Sequence, residues 1–257
     1  MSPIKRHGLR LAALLVLSVL ALQLYFGARV ALMTVLDPQS TSFQRSEAWR
    51  ILALRHELPW SQHWVDDGQL SAHLKRAVIA SEDAGFVDHS GVEWDAIEAA
   101  WQRNQKAEAK AERLNQQIAK RAASGTQKPP VQVTPKVVGG STITQQLAKN
   151  LFLSGERSPV RKAQEVVITY MLEGLLNKRR ILTIYLNNVE WGEGVFGAEA
   201  AARHYFRATA AQLAPGQAAR LAVMLPAPKR FERNPGSGYV AIRSATIAAR
   251  MGGVELP

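Results

Sequence analysis

Apolar positions fall into helical blocks along the chain, and the first block differs in kind from the rest. Leu11 to Ala28 is an 18-residue run without a charge. As a helix it spans about 27 Å, close to the roughly 30 Å hydrocarbon core of a bilayer. Lys5, Arg6 and Arg10 precede it. The positive-inside rule therefore places residues 1–10 in the cytoplasm, 11–33 in the membrane and 34–257 beyond it. A cleaved signal peptide is the alternative, but its apolar region usually runs only about 7–15 residues to a small-x-small site. The run here is longer and no convincing cleavage site follows. Val30 to Met33 continue it past Arg29, which can snorkel to the interface. An uncleaved anchor fits better.

Beyond the anchor the pattern predicts helix after helix. Leu70, Leu74, Ala77 and Val78 form a stripe at helical spacing running towards Glu82, with Gly85 as a stop. Ser141 opens a helix after Gly139 and Gly140, and Ser158–Pro159 caps a longer one towards Asn177. Ala198–Tyr205 and Pro215–Leu225 read as helices. Ile181–Asn188 suits helix or strand, since Ile, Thr and Tyr favour both. Strand signals are few, so the class is mainly α.

Composition narrows the function. The formal net charge is +11, which favours anionic partners. The absence of cysteine excludes a disulfide scaffold, a thiol nucleophile and a cysteine zinc site. The six histidines show no metal spacing. Gly192, Gly194 and Gly197 match a dinucleotide fingerprint in form only, because neither a βαβ alternation nor an acidic residue about twenty positions on accompanies them. Arg103–Lys128 carries seven basic and two acidic side chains and ends in a proline-rich loop. It reads as a solvated insertion; a basic arm touching anionic lipid headgroups is the sharper alternative.

Three places break local rules. Glu82 continues an apolar stripe at the end of its helix, beside Asp83. Burial, the helix dipole and a like charge all raise a carboxyl pKa, which suits a general base. A frayed, solvent-facing helix end is the plain reading. The stretch from Gly139 to Gln146 joins close backbone approach to a hydroxyl-rich helix start, a ready anion site; an ordinary capped helix is the plain alternative. Lys149, Arg157, Arg161 and Lys162 follow within about twenty residues, and a bound phosphate would compensate Arg161 and Lys162 in the first turn of their helix. Glu165 can pair with Arg161 on one face.

Taken together, these segments resemble the peptidoglycan glycosyltransferases, glycosyltransferase family 51. Glu82 to Gly91 matches the EDxxFxxHxG signature, followed by GGSTITQQLAKN at Gly139–Asn150, RKxxE at Arg161–Glu165 and KxxILxxYLN at Lys178–Asn187. Trp191–Gly192 and Gly197–Phe206 continue the match in family order. No K-T-G motif of a transpeptidase occurs, which points to the branch that carries only the glycosyltransferase. The long Arg103–Val138 stretch between the first two motifs is a departure from the family pattern.

The resemblance implies a lysozyme-like glycosyltransferase domain beside the membrane. It implies a single-pass inner-membrane protein with a periplasmic catalytic domain, whose partners are lipid II and the growing lipid-linked strand. Other cell-wall synthesis or division proteins fit the same setting; nucleic acid does not. By the same resemblance Glu82 is the base and Glu165 the second catalytic glutamate. Lys149 and Arg157 are the diphosphate contacts, with Arg161 and Lys162 adding charge. Ser141, Thr142, Gln145 and Gln146 line the sugar-diphosphate cleft. Asp83, Phe86, His89, Lys178 and Asn187 form a supporting shell, and Glu165 either orients those cations or holds a divalent metal, Mg or Mn, at the diphosphate. A membrane-anchored glycan hydrolase, a non-catalytic scaffold and a nucleic-acid binder are the rivals.

Overall fold

A computed structural model of the chain describes residues 3–123, 132–135, 139–153, 155–156 and 158–257. Residues divide into two compact units, 1–91 with 142–257, and 92–141.

The larger unit is helical, as the sequence pattern predicts. It begins with α1 (Pro3–Leu32), followed by α2 (Ser42–Arg55), the short strand β1 (Ser61–Gln62) and α3 (Ala72–Glu82). Helix α1 is apolar and exposed over most of its length, and long enough to cross a membrane. Its C-terminal end is different: Phe26, Val30 and Met33 join the hydrophobic core of the unit. Helix α3 carries the expected stripe, with Leu74, Ala77 and Val78 fully buried. It ends at Glu82, three residues before the expected stop at Gly85, because Asp83 leaves helical geometry.

In the smaller unit, α4 (Trp94–Ala123) is one long helix. It takes up the basic insertion as far as Ala123; residues 124–131 and 136–138 of that stretch lie outside the described ones. The returning chain runs back along α4. The Asn115 side chain donates to the Val133 carbonyl at 3.0 Å and accepts from the Val133 N–H at 2.8 Å. Farther on, a side chain at Gly140 would press on the backbone of Ala96 and Ile97.

The larger unit resumes with α5 (Ile143–Phe152), α6 (Pro159–Leu175) and α7 (Lys178–Asn188). Ser158 caps α6 by accepting from the Arg161 N–H at 3.1 Å, with Pro159 in the first turn, as its sequence predicts. The ambiguous segment is helix: every residue from Ile181 to Asn188 is buried, so α7 is the central helix and needs no polar face. It leads into the hairpin β2 (Glu190–Gly192) and β3 (Val195–Phe196), with β1 parallel to β3 on the other side. Gly194 and Gly197 have φ of +76° and +81°. The first makes the hairpin turn and the second starts α8 (Ala198–Phe206), so the formal dinucleotide fingerprint is a set of backbone turns. Helices α9 (Pro215–Met224), α10 (Pro228–Glu232) and α11 (Gly238–Arg250) complete the chain. Helix α3 packs against α9 and α11, and α5 against α6 and α7. Hydrogen bonds between Asp83 and Ile143 and from Gln146 to Glu82 bring the C-terminal end of α3 beside α5.

Candidate active site

The site is assembled on α5 and the end of α3. Glu82, the last residue of α3, is half-buried, and its Oε2 accepts a hydrogen bond from Gln146 Nε2 at 3.0 Å. Ser81 Oγ donates to its other oxygen at 3.3 Å. Burial pushes the Glu82 carboxyl up from its ordinary range and Asp83 adds to this, while Gln146, Ser81 and Arg243 oppose it. Burial and the like charge of Asp83 are two of the three causes the sequence pattern suggests; the helix dipole is not among the causes found, and the three opposing groups are not legible in the sequence.

Asp83 has a different task. Its Oδ2 accepts from the Ile143 N–H at 2.9 Å, which is the first residue of α5. Its Oδ1 lies 2.7 Å from His89 Nε2. His89 Nδ1 accepts from the Gly91 N–H at 3.0 Å, so Nε2 carries the proton and donates to Asp83. The expected anion site at this helix start is therefore filled, and the anion is the chain's own carboxylate. Thr142 and Gln145 belong to the same cap: Thr142 Oγ1 accepts from the Gln145 N–H at 3.2 Å, and Gln145 Oε1 accepts from the Thr142 N–H at 3.1 Å. Thr142 also donates to the Gly91 carbonyl at 2.6 Å. Both side chains are buried and hold the helix start, Thr142 through its Oγ1 and Gln145 through its Oε1. The helix starts at Ile143 rather than at Ser141; Ser141 is exposed and falls in the smaller unit.

Gln146 and Lys149 project one turn apart on α5, so their side chains are neighbours on its surface. Lys149 reaches solvent, yet the surrounding protein desolvates it enough to lower its pKa. Glu165 opposes that shift, Arg161 and Lys162 reinforce it, and Glu82 opposes it. Lys149 thus feels the charges of both Glu82 and the α6 group. Those charges form a tight group: buried Glu165 accepts from Arg161 at 3.1 Å and also pairs with Lys162. Glu165 compensates the two cations in the first turns of α6, the role the sequence reading gave to a bound phosphate. Arg157 lies outside the described residues.

A divalent metal at Glu165 does not fit these residues. Both carboxylate oxygens are held by cations, and an incoming metal would have to displace Arg161 and Lys162 from them. The surplus of positive side chains suits an anion instead.

A second layer holds this arrangement. Lys178 Nζ donates to the His89 carbonyl at 2.6 Å and to Glu173 Oε1 at 2.9 Å, and lies 4.6 Å from the centre of the Phe86 ring. Thr144 donates to the same Glu173 oxygen at 2.6 Å. Phe86 is fully buried. Asn187 works farther off, donating to the Val65 carbonyl and accepting from the Val65 N–H, so it pins the loop before α3. Sequence reasoning missed Glu173 and Tyr185, and read the Thr144 hydroxyl as part of an anion site when it donates to Glu173. Tyr185 stands inside the quoted KxxILxxYLN segment, but its hydroxyl contact is 39 positions away, at Gln146.

Residues 53–137 and 130–252 match the sequence profile of the family described as Transglycosylase. A biosynthetic peptidoglycan transglycosylase of Paraburkholderia xenovorans is 50% identical over 247 residues, covering 96% of this chain and 92% of that protein. A biosynthetic peptidoglycan transglycosylase of Cupriavidus metallidurans is 47% identical over 252 residues, covering 96% and 97%. With a profile that spans most of the sequence, and relatives of nearly equal length sharing about half its residues, the chain belongs to the transglycosylase family.

Proposed function

We propose that the chain polymerises lipid II into β-1,4-linked glycan strands, with Glu82 as the general base and Lys149, Arg161 and Lys162 stabilising the diphosphate leaving group. Family membership makes it a peptidoglycan glycosyltransferase of cell-wall synthesis; the substrate and the residue roles are our reading. The 4-hydroxyl of the acceptor GlcNAc attacks C1 of the donor MurNAc. The new O4–C1 bond forms as the C1–O bond to phosphate breaks. The proton passes to Glu82, the configuration inverts, and undecaprenyl diphosphate leaves.

The observation that carries this reading is the pairing of base and cations through one helix. Gln146 touches Glu82, and Lys149, one turn along α5, is coupled electrostatically to Glu82 and to the Arg161–Lys162–Glu165 group. A sugar alcohol needs a base with a raised pKa. A diphosphate needs cations at the position where its charge develops. A glycan hydrolase would have a neutral sugar as leaving group and no use for these cations. Glu165 keeps Arg161 and Lys162 in place until the substrate arrives.

The apolar α1 supports a membrane anchor rather than a cleaved signal. Phe26, Val30 and Met33 are interior residues of the same core as the catalytic helices, so cleavage after them would open that core. An anchored enzyme and lipid-borne substrates share one leaflet, which raises their encounter rate.

The test is purified full-length protein in detergent with lipid II, and finished glycan strands in a parallel reaction, both read on gels. Polymer from lipid II, lost in Glu82→Gln and strongly reduced in Lys149→Ala, is the expected result. Shortening of finished strands without polymer formation would overturn the reading.

A further inference from the structure

Gln146 stands between Glu82 and Tyr185. Its Nε2 donates to Glu82 Oε2 at 3.0 Å, and its Oε1 accepts from the Tyr185 hydroxyl at 2.9 Å. Tyr185 comes from α7, is fully buried, and plays no part in the chemistry proposed above. We infer that Tyr185 is a positioning residue for the base: its hydroxyl holds the Gln146 amide with the N–H side, not the carbonyl side, towards Glu82. The inference rests on the reading of Glu82 as the base.

A glutamine amide is a two-faced group, nearly symmetric in shape and opposite in hydrogen-bond sense at its two ends. With its oxygen towards Glu82 it would repel a carboxylate and accept from a carboxylic acid. With its nitrogen towards Glu82 it stabilises the carboxylate, the form a base must have before it takes a proton. A protonated phenol can donate to Oε1 and so supports the second orientation, whereas a phenolate could only accept and would favour the first. Tyr185 donates to Oε1 here and keeps its proton. Burial pushes its pKa well above the ordinary value, and the charges of Glu82 and Asp83 push it the same way. The phenol therefore stays neutral and donates while Glu82 is ionised.

The other groups that face Glu82 are Asp83 beside it, Arg243 from α11 and Lys149 from α5. Among the described residues, the Gln146 amide makes its hydrogen bonds to Glu82 and Tyr185, so the task of setting its orientation falls to Tyr185. Ser81 is no substitute: its hydroxyl is shared at long distance between Glu82 Oε1 and the Ala222 carbonyl, 3.3 and 3.4 Å away.

The experiment is the pH profile of kcat/KM for lipid II, measured on the full-length protein for wild type, Tyr185→Phe, Gln146→Leu and the double variant. The acid limb of such a profile reports the base in the free enzyme. Tyr185→Phe should move that limb upward by about half to one pH unit, a loss of about three- to tenfold below the limb that shrinks as pH rises. Gln146→Leu should move it the same way, and adding Tyr185→Phe to Gln146→Leu should move it no further. A limb that stays in place while activity falls equally at all pH values would mean Tyr185 is only a packing residue, and additive shifts in the double variant would also overturn the proposal. Should Tyr185→Phe fail to fold, the half-exposed Gln146→Leu decides alone: an unmoved limb sinks the relay. Glu82→Gln separates the two levels of inference. If it still polymerises, the base assignment fails; if it is inactive while the limbs of the other variants do not move, only the relay fails.

Discussion

Replacing Glu190 by Gln should stabilise the protein in alkaline solution and leave it nearly unchanged in acid. Glu190 opens β2 and is buried. Lys229 from α10 lies 3.3 Å from its Oε1 and also pairs with Glu47 of α2. Burial pushes the Glu190 carboxyl up from 4.5 to about 7; Lys229 opposes this shift, and Glu47 adds to it. A difference of about 2.5 pH units is worth roughly 3 kcal/mol. Its sign follows from proton uptake: between the two values the folded protein holds a proton that the unfolded chain has released, so stability falls as pH rises through that window. Glutamine mimics the protonated side chain and escapes the penalty. Its advantage over wild type should grow from below about 1 kcal/mol at pH 5 to roughly 3 kcal/mol at pH 8.5. For a domain of this size that is roughly 6–12 °C in melting temperature. Melting the two proteins in the same detergent at both pH values, followed by circular dichroism, measures it. An equal gap at pH 5 and pH 8.5, or a variant less stable at pH 8.5, would refute the burial argument.

Three further outcomes are expected. Glu82→Gln should lower polymerisation by about 10²–10⁴-fold, the usual contribution of a general base. It should also melt no lower than wild type near neutral pH, because it removes a charge whose burial the fold resists; a large drop in melting temperature would assign Glu82 to structure instead. Asp83→Ala should cost about 3 kcal/mol in denaturant unfolding, since it strands the Ile143 N–H and the His89 N–H together. A loss of activity with unchanged stability would contradict the capping role. Gly197→Ala should destabilise by about 2 kcal/mol or more, because its φ is +81° and the added carbon would sit 2.6 Å from the Asn187 carbonyl oxygen.

Much of this architecture is legible in the sequence because it depends on local spacing. The α3 stripe, the Ser158–Pro159 start of α6 and the Arg161–Glu165 pair all follow from positions one to four residues apart. What the sequence hides depends on contacts between distant segments. Asp83 caps a helix that begins sixty residues later, and no local rule assigns that carboxylate to Ile143 rather than to the ligand. The anion site at Gly139–Gln146 was read as open for the same reason. From Ile181 to Asn188 helix α7 is buried on every side and lacks a polar face, so its pattern cannot distinguish helix from strand. Glu173 draws Thr144 and Lys178 together, yet nothing in the spacing of those three residues marks it.

The junction between α1 and α6 constrains how a strand can be made. Gln23 and Gln164 exchange both amide hydrogen bonds at 2.9 Å, Phe26 packs edge-on against Phe152, and Arg180 binds the carbonyls of Met33 and Leu36 just past the helix. There is no slack tether here. With α1 in the bilayer, the Glu82–Lys149 site would ride at a fixed height above the lipid surface and could not swing to follow a lengthening product. Each new sugar would then have to arrive at a stationary workbench, and the finished polymer would be fed outward from it.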